Sequence, residues 1–215
     1  MRISDVYKPI FKLWRENRQK LFRQLVKPVA GERILDIGGY PHTWISTPQE
    51  VEEIVCLNLH VYPWKEQQQY PDHRITMVVG NACDLKYADG SFPIVFSNSV
   101  IEHVGDFAAQ QAFAREARRV GGRLWIQTPA YECPVEPHYL TPFVHWLPKS
   151  IRRRAVRWFT VWGWLEKPTK ADIDEMVDYT RLLTKREMKS LFPDCRIVTE
   201  RLLWVLPKSY VAVRG

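Results

Sequence analysis

The stretch Arg33-Ile34-Leu35-Asp36-Ile37-Gly38-Gly39-Tyr40 decides how this 215-residue chain is read. Ile34, Leu35 and Ile37 are apolar and partly β-branched, as befits a strand covered on both faces, and the run breaks at once into two glycines. Glycine there lets the backbone take conformations closed to other residues and lets a ligand approach closely. A strand feeding such a loop is where open α/β sheets bind nucleotide-like cofactors.

The flanking sequence extends the same rhythm. Upstream, Ile10, Leu13, Trp14, Leu21 and Leu25 recur at helical spacing over Lys8 to Lys27, with Lys and Arg on the other face, which predicts a helix packed on the sheet. Downstream, Thr47-Pro48-Gln49-Glu50 carries a capping-box pattern with proline at the first helical position, predicting a short helix. Strands are expected at Ile54 to Leu59, Ile75 to Val79, Ile94 to Asn98 and Arg123 to Gln127, with a helix capped by Asp106 running to Val120 between the last two. A second capping box at Thr184 to Glu187 opens a helix to Phe192, and two closing strands, Arg196 to Glu200 and Ser209 to Val213, are joined tightly enough to be antiparallel. This alternation predicts a Rossmann-like α/β fold. It is a doubly wound, mostly parallel seven-stranded sheet with an antiparallel C-terminal strand and helices on both faces.

With 46% hydrophobic and 26% charged residues, the chain is expected to form one domain over 1–215, with an N-terminal helical segment over 1–30 and an insertion over 129–180. That insertion, rich in proline and tryptophan and without a strand signal, is too long for a plain connection and predicts a lid or substrate-side cap. No apolar run approaches the roughly 18 to 20 residues that cross a bilayer, and Met1 to Trp14 lacks a signal-peptide core, so a cytoplasmic protein is expected. Cys56, Cys83, Cys133 and Cys195 are far apart and form no CxxC pair, so they read as reduced thiols. The formal charge of +7 is uneven: Lys149 to Lys170 holds seven basic residues against Glu166. Its core, Arg152 to Leu165, crowds arginines against Trp158, Phe159, Trp162 and Trp164, a pattern that suits either a peripheral membrane contact or packing inside the lid.

Taken in order, ILDIGG, VCLNLH, GNACDLKYADGSF, FSNSVIEHV and a fifth strand ending QTP resemble the class I S-adenosylmethionine-dependent methyltransferases, in particular the broad type 11 group. The resemblance runs from about Arg33 to Thr128. It implies S-adenosyl-L-methionine as cofactor and S-adenosyl-L-homocysteine as product. It also implies that Asp36, Gly38, Gly39 and neighbouring Tyr40 hold the amino-acid part of the cofactor, that Asn58 and Leu59 face the ribose, that Cys83 and Asp84 hold the adenine, and that Ser97 and Asn98 lie beside the methionine portion. The chain departs from the family pattern where Tyr40-Pro41 replaces a third glycine, where Asn58 replaces an acid, and at Pro93. Physical chemistry agrees with the acids: Asp36 can accept from an ammonium group and Asp84 from an exocyclic amine. A sulfonium also favours aromatic surroundings, for which Tyr40, Trp44 and Trp14 are available.

Glu102-His103 follows the fourth strand, which places a titratable ring where a transferred methyl would sit, and His103 is the expected general base for a hydroxyl acceptor. His138, on the insertion, can reach the same space as a second base or substrate ligand. Glu102, His103 and His138 are also similar to part of the divalent-metal set of RNA 3′-terminal 2′-O-methyltransferases. Ser99 stands where that set has a further acid, so no metal is assigned. No NPP[YF]-type tetrapeptide follows the fourth strand, which favours oxygen over nitrogen. The expected reaction is methylation of a small-molecule, sugar or lipid-linked oxygen; RNA methylation and an inactive cofactor-binding scaffold are the alternatives. No RNA-binding module accompanies the basic segment, so a nucleic-acid partner ranks lower.

Overall fold

The computed structural model describes residues 3–45, 49–60 and 73–215, with side chains from Trp14 onward, Arg15 excepted. Strands β1 (Arg33–Ile37), β2 (Glu53–Asn58), β3 (Ile75–Val79), β4 (Phe92–Asn98) and β5 (Gly121–Pro129) are parallel, whereas β8 (Arg196–Leu202) and β9 (Leu206–Arg214) run antiparallel to their neighbours. The seven stand in the order β3-β2-β1-β4-β5-β9-β8, so β1 and β4 lie at the centre and their carboxyl ends sit side by side at the reversal of strand order. Crevices for ligands form at such a reversal.

Alternating side chains of the strands feed two cores. Ile34, Ile54, Ile94, Phe96 and Trp125 face α1 (Ile3–Val26), which contributes Phe22 and Val26. Leu35, Ile37, Val95, Leu124 and Ile126 face the opposite side, covered by Phe113, Ala114 and Ala117 of α2 (Phe107–Val120) and by Met188 and Leu191 of α6 (Lys185–Leu191). Both faces of the central strands are thus dry, which explains their near-continuous apolar sequence. The caps fall where the sequence placed them: Asp106 accepts from the Ala109 amide, and Thr184 with Glu187 forms a reciprocal capping box.

Two expectations need correction. Thr47 and Pro48 lie outside the described residues, but Gln49 to Glu52 are not helical. The Gln49 side-chain amide donates to the carbonyls of Val51 (2.8 Å) and Glu52 (3.0 Å) and closes the turn that a helix would have made. The insertion is also not free of strands. It opens with a minimal antiparallel pair, β6 (Val135–Glu136) and β7 (Thr141–Pro142), then forms α3 (Lys149–Phe159), α4 (Val161–Glu166) and α5 (Lys170–Tyr179) around Tyr139, Val144, Val156, Ile173 and Val177. That separate small core explains why its tyrosine and valines carried no strand signal.

Candidate active site

The glycine loop is shaped first by its own neighbours. Gly38 has φ +75°, and a Cβ there would meet Val100 at 2.4 Å; a Cβ on Gly39 would strike the Asp36 carboxylate at 1.7 Å. Glycine is therefore required at both positions by close approach, and at Gly38 by backbone conformation as well. Asp36 is buried, with Oδ2 accepting from Trp44 Nε1 at 2.8 Å and Oδ1 without a partner. Burial pushes its carboxyl up to about 7, opposed only by the Trp44 bond. An ammonium group would satisfy the orphan oxygen and favour the charged form, so the donor set fits the amino end of the expected cofactor.

The neighbouring expected contacts are partly engaged by protein. Asn58 Nδ2 donates to the Gly39 carbonyl at 2.6 Å, bracing the loop. Ser97 is buried and donates to the Ile37 carbonyl at 3.0 Å. Asn98 Oδ1 accepts from Arg18 Nη1 at 2.8 Å, and Arg18 also pairs with Glu200, so α1 borders the site through an ion pair the sequence did not signal. On the rim, Tyr40 lies stacked on His42, Leu59 is exposed, and Asp84 is exposed beside Lys86. Cys83 packs against α2, with its thiol on the Ala109 carbonyl. Of the aromatics, Trp44 is buried between Phe22 and Phe96, and Trp14 lies under the Lys208 ammonium at 4.4 Å, so both are already committed.

The second half of the site is a turn fixed from several sides. Ser99 takes a left-handed conformation (φ 57°) at the end of β4; its amide and hydroxyl both bond Gln127 of β5. That reversal leads into the 3₁₀ turn Ile101–His103, which buried Gln110 of α2 ties to residue 181 by donating to both the Ile101 and Arg181 carbonyls. Glu102 is fully buried: Thr128 donates to Oε2 at 2.9 Å, Oε1 has no partner, and burial pushes the carboxyl up to about 7.

His103 and His138 meet with Nε2 to Nε2 at 3.0 Å, their rings at right angles. On the far side, His138 Nδ1 sits 2.5 Å from Glu136 Oε1, while Glu136 Oε2 accepts from the Tyr139 amide at 2.7 Å. Thr180 Oγ1 lies 3.4 Å from His103 Nδ1. In its neutral form His138 keeps its proton on Nδ1 against the carboxylate, so its Nε2 accepts from the N–H of His103 Nε2; once protonated it donates from both nitrogens. Burial works to lower the His138 pKa, but the Glu136 bond and charge outweigh it, and the ring ends above its ordinary value. His103, although open to solvent at its rim, is held down to about 4 by desolvation and by the charge of His138.

Glu102, His103 and His138 bring their ligand atoms within 4.8 Å of one another. The sequence named these three but gave no role to Glu136, Thr180 or Thr128; the pattern Pro134-Val135-Glu136-Pro137-His138 holds the one available signal, a carboxylate two residues before a histidine.

A parallel sheet in this order, with an antiparallel strand inserted beside β5 and a glycine loop after β1, is the Rossmann-like fold of class I methyltransferases. Residues 35–126 match the family profile Methyltransf_11, described as a methyltransferase domain. The matched stretch runs from β1 to β5, the part of the chain that carries the sequence resemblance to the type 11 methyltransferases. Its fold is similar to that of magnesium protoporphyrin IX methyltransferase from Synechocystis with bound S-adenosylhomocysteine, at 12% identity and TM-score 0.58 over 100% of this chain and 90% of that one. It is also similar to the PH0226 protein of Pyrococcus horikoshii (15%, 0.59, 94% and 89%) and to the N-methyltransferase NodS of Bradyrhizobium japonicum (12%, 0.55, 94% and 95%). Three other matching structures are longer, and the chain spans 24%, 48% and 56% of their lengths. These likenesses concern the fold. Among the described residues no helix is long and apolar enough to cross a membrane.

Proposed function

We propose that the chain methylates an oxygen of a small-molecule, sugar or lipid-linked acceptor, and that the imidazole pair handles the acceptor's proton. The observation that supports this most directly is the contact of His103 and His138, backed by Glu136, just past the carboxyl end of β4. When bound, S-adenosylmethionine supplies a methyl carbon made electrophilic by its sulfonium. Asp36 holds the ammonium end, and the loop at Gly38 and Gly39, with Tyr40 on its rim, fixes the chain of the donor. Asn58 and Leu59 border the ribose, Cys83 and Asp84 the adenine, and Ser97 and Asn98 the methionine portion. An in-line displacement then depends on holding donor and acceptor at reacting distance.

The sequence nominated His103 as base, but the electrostatics favour His138 for that role. A ring held down to about 4 is a weak base, whereas His138 has a carboxylate on Nδ1 ready to stabilise the imidazolium. The acceptor hydroxyl replaces His103 as the donor to His138 Nε2, and His103 orients it. The test has two stages. Calorimetry with S-adenosylhomocysteine measures donor binding. Incubation with donor carrying a 13C-labelled methyl and a panel of sugars, phenols and lipid-linked acceptors then reads the acceptor atom from the product's chemical shift. An N-methyl product, or turnover unaffected by His138→Ala, removes this reading.

A peripheral membrane contact through residues 152–165 has one observation in its favour. Trp158, Phe159 and Trp164 are 68%, 72% and 61% exposed rather than packed inside the insertion. The basic run beside them is less free than its sequence suggests. Arg152 bonds the His145 and Leu147 carbonyls, Arg153 pairs with Asp174 and Asp178, and Arg157 bonds the Pro168 carbonyl.

A further inference from the structure

Behind the imidazole pair lies a cavity of about 530 Å³, between the start of the insertion and residues 178–187. That is within the size range of small-molecule sites. Glu136 and Thr180 line it, and these are the residues that contact His138 and His103 on their Nδ1 sides. The cavity and the proposed reaction centre therefore share a wall.

The charges around the cavity do not cancel evenly. Each lining carboxylate is already committed: Asp106 caps α2, Glu136 holds His138 and the Tyr139 amide, Asp178 pairs with Arg153, and Glu187 holds Arg181 and Thr184. Arg152 differs. Its guanidinium contacts carbonyl oxygens through Nη2, its Nε has no partner, and it forms no ion pair with any described residue. Beside it, the buried Tyr139 hydroxyl faces the Arg152 guanidinium without a well-formed hydrogen bond, and Lys149 reaches Asp178 only at 3.4 Å. With Nη2 given to two carbonyls, what this corner still offers one anionic group is the Nε–H of Arg152 and the neighbouring Tyr139 hydroxyl.

We propose that this cavity holds the anionic end of the methyl acceptor, recognised by Arg152 and Tyr139 with Lys149 at the rim, so that the acceptor is a small phosphorylated or carboxylated compound. This rests on the methyl-transfer reading for the word acceptor, but the anion site itself does not. With its anionic group on Arg152, the remainder of the ligand extends past Glu136 and Thr180, which stand between the cavity and the two rings, to reach the Nε2 side of His138.

The test uses the full chain and three probes, glucose 6-phosphate, glucuronate and neutral glucose, followed by amide chemical shifts at Tyr131, Tyr139 and Arg181. One of the two anions is expected to saturate in the millimolar range while glucose does not, and Arg152→Gln is expected to weaken it at least about tenfold, or 1.4 kcal/mol. Which anion saturates decides between phosphate and carboxylate. Because Arg152 also braces two carbonyls, Tyr139→Phe, which removes one hydroxyl, serves as the second variant and should weaken the same anion several-fold. S-adenosylhomocysteine affinity, measured in parallel, should stay unchanged in both variants. Saturation by glucose alone, no saturation by either anion, or equal affinity in Tyr139→Phe overturns the proposal. Anion binding without any S-adenosylhomocysteine binding would retain the site and discard the methyl-transfer reading.

Discussion

Replacing Asp36 by Asn should make the free protein more stable and the donor site less effective. Asp36 is 1% exposed, and burial raises its pKa from 3.8 to about 7. A group whose folded pKa is raised contributes stability that is fully present below the unfolded value and is lost as pH rises through the folded one. Between about pH 4 and pH 7, this carboxyl therefore erodes stability with every unit of pH. Three units at 1.36 kcal/mol each come to about 4 kcal/mol by pH 8. Asparagine keeps the acceptor for Trp44 but places an amide where Oδ1 had no partner, at a cost of roughly 1–3 kcal/mol. The net gain is about 2 kcal/mol at pH 8, or roughly 4–8 °C in Tm, shrinking to nothing or reversing near pH 5. The assay is a set of thermal melts from pH 5 to pH 8.5, with and without S-adenosylmethionine. Wild type should gain Tm with the donor, whereas Asp36→Asn should start higher at alkaline pH and gain little. Parallel pH curves for the two proteins, or an equal donor-induced shift, would refute the reasoning from the buried carboxylate.

Three further outcomes follow from the same geometry. Glu136→Gln removes the charge that holds the His138 proton, so the His138 pKa, followed by imidazole 15N shifts, should fall by at least about one unit; an unchanged titration contradicts the assigned tautomer. Gly38→Ala forces a Cβ to 2.4 Å from Val100 at φ +75° and should cost about 2–4 kcal/mol in denaturant melts. Adding Val100→Ala should recover part of that cost, because the clash is relieved while the backbone strain remains, and an additive double variant would show that the contact is not the cause. If the exposed aromatic edge meets membranes, the protein should co-sediment with anionic vesicles at low salt and lose most of that binding in Trp158→Ser/Trp164→Ser; equal sedimentation of the double variant removes the contact.

How much of this was legible in the sequence depended on how local each signal was. The central strands, the Asp106 cap and the Thr184 box were readable because period, cap chemistry and glycine turns are encoded within a few residues. The helix expected at Thr47 failed in its described part because Gln49 offers its amide to nearby carbonyls, a side-chain competition that no periodicity reveals. Glu102, His103 and His138 could be named from their place after β4 and β5, but their pairing could not. It depends on Ser99 reversing the chain, on Gln110 tying residues 101 and 181 together, and on Glu136 reaching His138 across a turn. Arg152 looked like one of a solvated basic run and instead turns inward, because the carbonyls of His145 and Leu147, on the turn that precedes α3, face it.

Folded proteins leave few buried polar atoms unpaired, so where the unpaired ones collect is informative. Gln19, Ser91 and Trp125 each leave one such atom elsewhere in the fold, Glu102 leaves Oε1 beside the imidazole pair, and His145 leaves Nδ1 at the cavity. Asp36 Oδ1 lies under the glycine loop, while Tyr139 Oη and Arg152 Nε belong to side chains lining the cavity behind the histidines. The two places have opposite polarity. The first is a carboxyl that a cation would hold ionised, and the second is a guanidinium whose unpartnered N–H suits an anion. On the proposed reading, this polarity orients the reaction. The donor's ammonium cannot settle on Arg152, and the acceptor's anion is repelled from Asp36, so each ligand is confined to its own end with the imidazole pair between them. Charge reversal at one end should then do more than weaken one ligand. Asp36→Lys would draw the anionic acceptor into the donor pocket, converting the acceptor into a competitive inhibitor of donor binding, an effect that loss of a contact alone does not produce.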